Sequence, residues 1–309
     1  MYDKLRQISA SYISTITVSG LKGRVFNHPS RKERGGRTIV FVYGIHGSLE
    51  RFYGVIHYLA RFGRVVAPDL PGFGGMPSFY SVGSRPSPDA YGDYLAEFIR
   101  QELPDGQLTL VGLSYGFVVI TRMLARHPDL QSRADMAVSV MGLADGRDLA
   151  MSPVLRCACE ALLGIARTPV LGRVLQYIIT RRWLLRLMYT DRNPKVRSLP
   201  QSLRPEIIRF ESYLWNCNDM RTYGACMHEL FHLRQPTGPL IKTPAHHIST
   251  PHDHWLNIDS AERHIRALYG NLTSHTSTVM KHGGLAYDSE DEAKEIIPAG
   301  MVAAFEAQA

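Results

Sequence analysis

Short apolar runs and helically spaced segments alternate along the first half of the chain. Residues 38–42, Thr-Ile-Val-Phe-Val, are β-branched and aromatic and predict a buried strand. Residues 50–61 follow with apolar positions at Phe52, Val55, Ile56 and Leu59, the spacing of one helix face. A second buried strand starts at Arg64 and runs into the turn Pro71-Gly72-Phe73-Gly74. A helix over 91–103, a strand over 107–113, a helix over 117–126 and a strand over 136–141 continue the order. This alternation builds a parallel sheet with helices on both faces. Upstream, residues 12–18 and 22–27 predict a hairpin about Ser19-Gly20. Downstream, after a long helical stretch, the pattern resumes with a strand over 245–250, a helix over 260–269 and a short strand from Thr278.

The strand over 107–113 ends in Gly112-Leu113-Ser114-Tyr115-Gly116, and a helix opens directly behind it. A Gly-x-Ser-x-Gly pentapeptide between strand and helix is the setting of a strained nucleophile elbow. The two glycines let strand and helix approach closely enough to force the serine backbone into an unfavourable conformation. Ser114 then projects its hydroxyl above the sheet edge. Glycine-rich strand–helix turns also bind phosphates or merely reverse the chain, so the surroundings decide.

Three stretches in order, Phe41-Val42-Tyr43-Gly44-Ile45-His46-Gly47-Ser48, Ala67-Pro68-Asp69-Leu70-Pro71-Gly72-Phe73-Gly74 and the pentapeptide, carry a resemblance. The chain resembles the α/β-hydrolase superfamily in its single-serine, capped, esterase-like branch, over about residues 36–145 and more weakly from about 240 onward. The resemblance implies an α/β fold, a mostly parallel central sheet flanked by helices with an inserted helical cap. Residues 1–146 and 237–309 would form the core and 147–236 the cap. Ser114 stands where the family's dehalogenases and epoxide hydrolases carry an aspartate. Aligning Tyr43-Gly44 with the family's His-Gly makes the backbone N–H of Ile45 an oxyanion-hole donor beside that of Tyr115. A register on His46-Gly47 would move that donor to Ser48. Phe117, where a small residue is common, would narrow the space behind the nucleophile.

A serine hydroxyl is a poor nucleophile at neutral pH and needs a base, which in turn needs an orienting carboxylate. In this fold the order along the chain is Ser, acid, His. Asp253 sits in the turn after the strand over 245–250, where relatives carry the acid. His282 follows in the Gly-rich loop His282-Gly283-Gly284 and is the expected base. Asp145, after the preceding strand, is the alternative acid; in Ala-Asp-Gly it also suits a turn or helix cap.

His228-Glu229-Leu230-Phe231-His232 fits His-Glu-x-x-His, which on a helix presents two imidazoles to zinc and a glutamate to the metal-bound water. The chain holds 13 histidines, which raises the chance of an accidental match, and no third ligand follows in a recognisable context. His246, His247, His252 and His254 crowd around Asp253 without a ligand spacing. Neither a metal nor a cofactor is therefore expected. A zinc metalloprotease remains as an alternative, beside a carbon–carbon bond hydrolase with the same triad and a ligand receptor with little turnover.

Composition fits an enzyme with one substantial core and a smaller appendage: 309 residues, 45% hydrophobic. The absence of a long apolar run and of a secretory leader predicts a cytoplasmic protein. The four cysteines, Cys157, Cys159, Cys217 and Cys226, all fall in the middle segment and are expected as free thiols. The charge has a location. Residues 147–236 hold 14 Lys and Arg against 7 Asp and Glu, so the whole net charge of +7 resides there. Thr168-Pro169 opens a helix carrying Leu171, Val174, Leu175, Ile178, Trp183 and Leu187 with Arg173, Arg181, Arg182 and Arg186. Its apolar breadth suggests packing on the core and lining a pocket, with Trp183 a substrate-binding wall residue. The expected partner is a small, apolar, ester-like molecule. The arginines suit a solvated face, an anionic substrate or a weak membrane-surface contact. No nucleic-acid motif accompanies them, and the oligomeric state is not legible.

Overall fold

A computed structural model describes residues 2–32, 37–189, 202, 204–279 and 289–307. The eight strands among the described residues form one sheet in the order β1-β2-β4-β3-β5-β6-β7-β8. β1 (Ile13–Val18) and β2 (Leu21–His28) form the expected antiparallel hairpin, with Ser19 and Gly20 both at positive φ, 52° and 75°. Such a turn matches the right-handed twist of the strands it joins. β2 also runs antiparallel to β4 (Arg64–Pro68). β3 (Thr38–Val42), β5 (Leu108–Leu113), β6 (Ala134–Val140), β7 (Ala245–Ser249) and β8 (Leu272–Thr276) are parallel to one another and to β4. β3 to β6 are buried almost throughout because helices cover both faces.

α1 (Tyr2–Ser9) leads into the hairpin, α2 (Tyr53–Leu59) joins β3 to β4, and α3 (Pro88–Glu102) joins β4 to β5. The Ser87 hydroxyl accepts from the Ala90 N–H at 3.1 Å and Pro88 occupies the first turn of α3, so that start is fixed locally. α4 (Tyr115–Arg126) and the short α5 (Pro128–Gln131) join β5 to β6. β3 is flanked by β4 on one side and β5 on the other, so successive crossovers leave it in opposite directions. In an open parallel sheet that reversal opens a crevice at the carboxyl ends of the two strands. Residues 43–48 leave β3 there, and Ser114 leaves β5 there.

Among the described residues, five α-helices stand between β6 and β7: α6 (Pro153–Ala166), α7 (Pro169–Ile179), α8 (Arg182–Met188), α9 (Arg204–Cys217) and α10 (Met220–Phe231). α10 joins the main core through Cys226 and Leu230. A smaller cluster of Ala166 of α6, Leu185 of α8, Trp215 of α9 and Met220 of α10 ties these helices to one another. The single helix expected after Thr168 is two, broken at Thr180-Arg181, and its buried side chains pack on neighbouring helices between β6 and β7. A segment apolar all round buries one stripe and leaves another outward; its apolar breadth did not mean burial in the core.

α11 (Ile258–Leu268) joins β7 to β8, and α12 (Glu290–Ile296) and α13 (Ala299–Ala307) close the described chain. The last strand among the described residues covers Leu272–Thr276; of the strand expected from Thr278 onward, Thr278 and Val279 are not in a strand and the rest lies outside the described residues. β8 lies at the edge of the sheet and reads Leu-Thr-Ser-His-Thr, so its apolar signal is weak, whereas Val279 and Met280 are more strand-like in composition alone. None of the described helices is long and apolar enough to cross a membrane.

Candidate active site

Ser114 is held at φ 52°, ψ −117° between the last residue of β5 and the first of α4. A non-glycine residue in this region carries about 1–3 kcal/mol of strain, which persists only where the surroundings enforce it. The enforcement is visible. A Cβ on Gly112 would lie 2.5 Å from the Cα and N of Phe117, and one on Gly116 would run into the carbonyl of Val42 in β3. The Ser114 N–H donates to the Val140 carbonyl of β6 at 2.9 Å. Ser114 is half-buried and sits at the N-terminus of α4, where backbone N–H groups favour negative charge. Gly116→Ala is expected to lower stability by about 3 kcal/mol, read by urea unfolding, because a backbone carbonyl cannot move aside as a side chain can.

The loop after β3 lies against this turn. A Cβ on Gly44 would be 3.3 Å from the Ser114 Cβ and 3.7 Å from the Tyr115 nitrogen, so the Gly44-Ile45 backbone borders the serine. Gly47 folds back instead onto the Tyr43 ring and the Gly44 carbonyl. Tyr43 anchors the start of the loop: its ring stacks on Phe52 at 5.7 Å and its hydroxyl donates to buried Asp69 at 2.9 Å. Burial pushes the Asp69 carboxyl up to about 7, against the pull of the Arg24 guanidinium 2.7 Å away.

His46, at φ 63°, anchors the other end. Arg51 donates to its carbonyl at 2.9 Å, Asn218 bonds its Nδ1 at 3.2 Å, and its ring lies 4.0 Å from that of Trp215. The His46 Nε2 donates to Glu211 of α9 at 3.4 Å, and the Tyr189 hydroxyl donates to the same carboxylate oxygen at 2.7 Å. Burial alone would raise the Glu211 carboxyl, but the bond from His46 and the charge of Arg51 hold it at about 2, below its ordinary 4.5. The folded value lies under the unfolded one. Its stabilisation is therefore complete above about pH 5 and lost as pH falls toward the folded pKa. Wild type should lose about 2 kcal/mol on this account between about pH 5 and pH 3, and Glu211→Gln should remove that part of the slope in urea titrations.

Asp253 lies in the loop after β7, and its Oδ1 accepts from the backbone N–H groups of Trp255 (2.8 Å) and Leu256 (3.1 Å). The loop is stitched to the chain leaving β8: Ser277 donates to the Ser249 carbonyl at 2.8 Å, and the Thr250 hydroxyl donates to that of Val279. β7 and β8 are parallel neighbours, so these two loops leave the same sheet edge as Ser114. His282 lies outside the described residues. Asp145 is occupied as a cap. It is buried, accepts from the Arg147 backbone at 2.9 Å, and pairs through both oxygens with the Arg147 guanidinium at 2.8 and 3.1 Å. Burial would raise its carboxyl, and the bonds from Arg147 hold it below the ordinary range.

His228 and Glu229 lie on α10 and His232 directly follows it, with the His228 and His232 rings 4.4 Å apart. The His232 Nδ1 is engaged at 2.9 Å by the His228 carbonyl. His247 is buried against the Ser139 hydroxyl at 2.9 Å, and His246 bonds His275 at 2.9 Å. Among the described residues no group of three His, Cys, Asp or Glu side chains could hold a metal ion. The four cysteines are free thiols. Trp183 is 64% exposed on α8. Sequence reasoning missed the His46–Glu211–Asn218 frame, which joins residues 165 or more positions apart. The one local signal was a carboxylate on the α9 face that carries Phe210, Leu214 and Trp215.

Residues 37–155 match the family model described as alpha/beta hydrolase fold. No curated protein matches the sequence. Among solved structures, an enol-lactonase from Burkholderia xenovorans LB400 is similar at 17% identity and a TM-score of 0.63, covering 95% of this chain and 100% of its own. A thermophilic esterase from Thermogutta terrifontis is similar at 16% identity and 0.62, covering 96% and 97%. The epoxide hydrolase CorEH is similar at 15% identity and 0.65, covering 96% and 99%. At these identities the likeness establishes the fold, and the three names show that one fold carries different chemistries.

Proposed function

Because this chain belongs to the α/β-hydrolase superfamily, we propose that it is a serine hydrolase acting on an ester or a related carbonyl compound through an acyl-enzyme intermediate. The observation that carries the reading is the strained backbone of Ser114 at the switch point of the sheet. Strain of this kind is retained where it aims a reacting group. Here it would present a hydroxyl to the crevice, at the N-terminus of α4.

In the proposed reaction His282 removes the Ser114 proton as the Oγ attacks the carbonyl carbon. Asp253 holds the imidazole in the tautomer that can accept that proton. The backbone N–H groups of Tyr115 and Ile45 receive the developing oxyanion, usually the largest electrostatic contribution to such catalysis. The closeness of Gly44 to Ser114, with Gly47 turned away, supports Ile45 over Ser48 as the second donor. His282 returns the proton to the leaving group, and a water activated by the same base then releases the acid. The Asp253 oxygen is fixed by two backbone donors, as an orienting carboxylate requires, whereas Asp145 is committed to Arg147.

The test is a profile over p-nitrophenyl esters of graded acyl length, with and without excess chelator. The expected result is a maximum at one chain length and turnover indifferent to the chelator. Turnover that needs a metal would move the chemistry to the His228–His232 pair, and no turnover on any ester would contradict the proposal.

A further inference from the structure

The outer face of the inserted helices is apolar where a surface should be polar. Among the described residues, 12 of the 15 large hydrophobic side chains that are exposed fall between Val154 and Met188. They are ordered. On α7, Val170, Leu171, Val174, Tyr177 and Ile178 are exposed at the i, i+1, i+4, i+7, i+8 spacing of a single helix face. On α8, Trp183 and Leu187 are 64% and 65% exposed at i and i+4. α6 adds Val154, Leu155 and Leu162. The opposite faces are fixed within the fold. Leu163 of α6 and Leu185 of α8 are buried, and a Cβ on Gly172 of α7 would strike the Ala166 carbonyl of α6. α7 packs on both α6 and α8, so the three faces are neighbours.

Charge selects the partner. From Ser152 to Tyr189 the chain holds six arginines and one glutamate, with no lysine or aspartate. Arg173, Arg182 and Arg186 are exposed among the apolar positions, and the Arg181 guanidinium lies over the Tyr177 ring at 3.4 Å. A symmetric pairing of two such faces would oppose like charges. A bilayer with anionic headgroups meets both features: acyl chains receive the apolar side chains, headgroups neutralise the guanidinium groups, and Trp and Tyr suit the boundary between them. We propose that α6, α7 and α8 form a peripheral docking face for anionic lipid bilayers. The docking does not depend on the hydrolytic chemistry. With that chemistry, it would bring the crevice to apolar substrates dissolved in the membrane.

The experiment is co-sedimentation of the full chain with vesicles of phosphatidylcholine alone or with phosphatidylglycerol, alongside sedimentation velocity without lipid. Wild type should pellet with the anionic vesicles, less so as salt rises, and stay in solution with the zwitterionic ones. Arg182→Ser with Arg186→Ser should weaken binding about 30-fold, roughly fivefold per arginine. Trp183→Ser with Leu187→Ser should weaken it more than about tenfold. All four positions are exposed, and unchanged circular dichroism would show the variants folded. Wild type left in solution with anionic vesicles, or bound equally well in both variants, would overturn the proposal. So would a lipid-free dimer dissolved by the same substitutions, which would make the face a contact between copies.

Discussion

Ser114→Ala is expected to lower ester turnover by at least about 10⁴-fold with little change in fold. In a serine hydrolase every bond-making step passes through that oxygen, and what survives its loss is the contribution of substrate binding and the oxyanion donors. Alanine keeps the Cβ and therefore the packing around Gly112 and Gly116. Removing only the hydroxyl should leave the unfolding midpoint unchanged or slightly raised, since the strained turn retains its neighbours. Steady-state kinetics and urea unfolding on the same preparation separate the two effects. Turnover within tenfold of wild type would remove Ser114 from the chemistry.

Asp253→Asn is expected to lower kcat by about 10⁴-fold, because a neutral amide favours the histidine tautomer that cannot accept the serine proton. The backbone bonds from Trp255 and Leu256 can be kept by the amide oxygen, so the loop should hold its shape. Asp145→Asn makes the comparison informative. Its carboxylate pairs with Arg147 and caps the turn at Gly146–Asp148, so its loss should reduce stability while leaving kcat within a fewfold of wild type. If the large kinetic loss appears in Asp145→Asn and not in Asp253→Asn, the orienting carboxylate is Asp145.

The parts of the fold legible in the sequence are those where local pattern and global burial agree. β3, β4, β5 and β6 are covered on both faces and announce themselves as unbroken apolar runs. The elbow was legible because its strain needs glycine at two fixed offsets from Ser114. β8 is hard to see in the sequence because an edge strand with a largely exposed, polar composition loses the contrast on which strand recognition depends. The outward face of α7 was hidden for the opposite reason. Its apolar residues look like core in one dimension, and only packing reveals which side is left uncovered. The His46–Glu211 contact joins residues 165 positions apart, and local patterning carries no information on such a pairing.

The central claim, that Ser114 is the nucleophile, is tested most directly by exposing the protein to a fluorophosphonate and measuring intact mass and peptide masses. A single phosphonyl adduct on the peptide carrying Ser114, absent from Ser114→Ala and slowed in Asp253→Asn, is the predicted result. An adduct on any other residue, or none under conditions in which the wild-type chain turns over an ester, would contradict it.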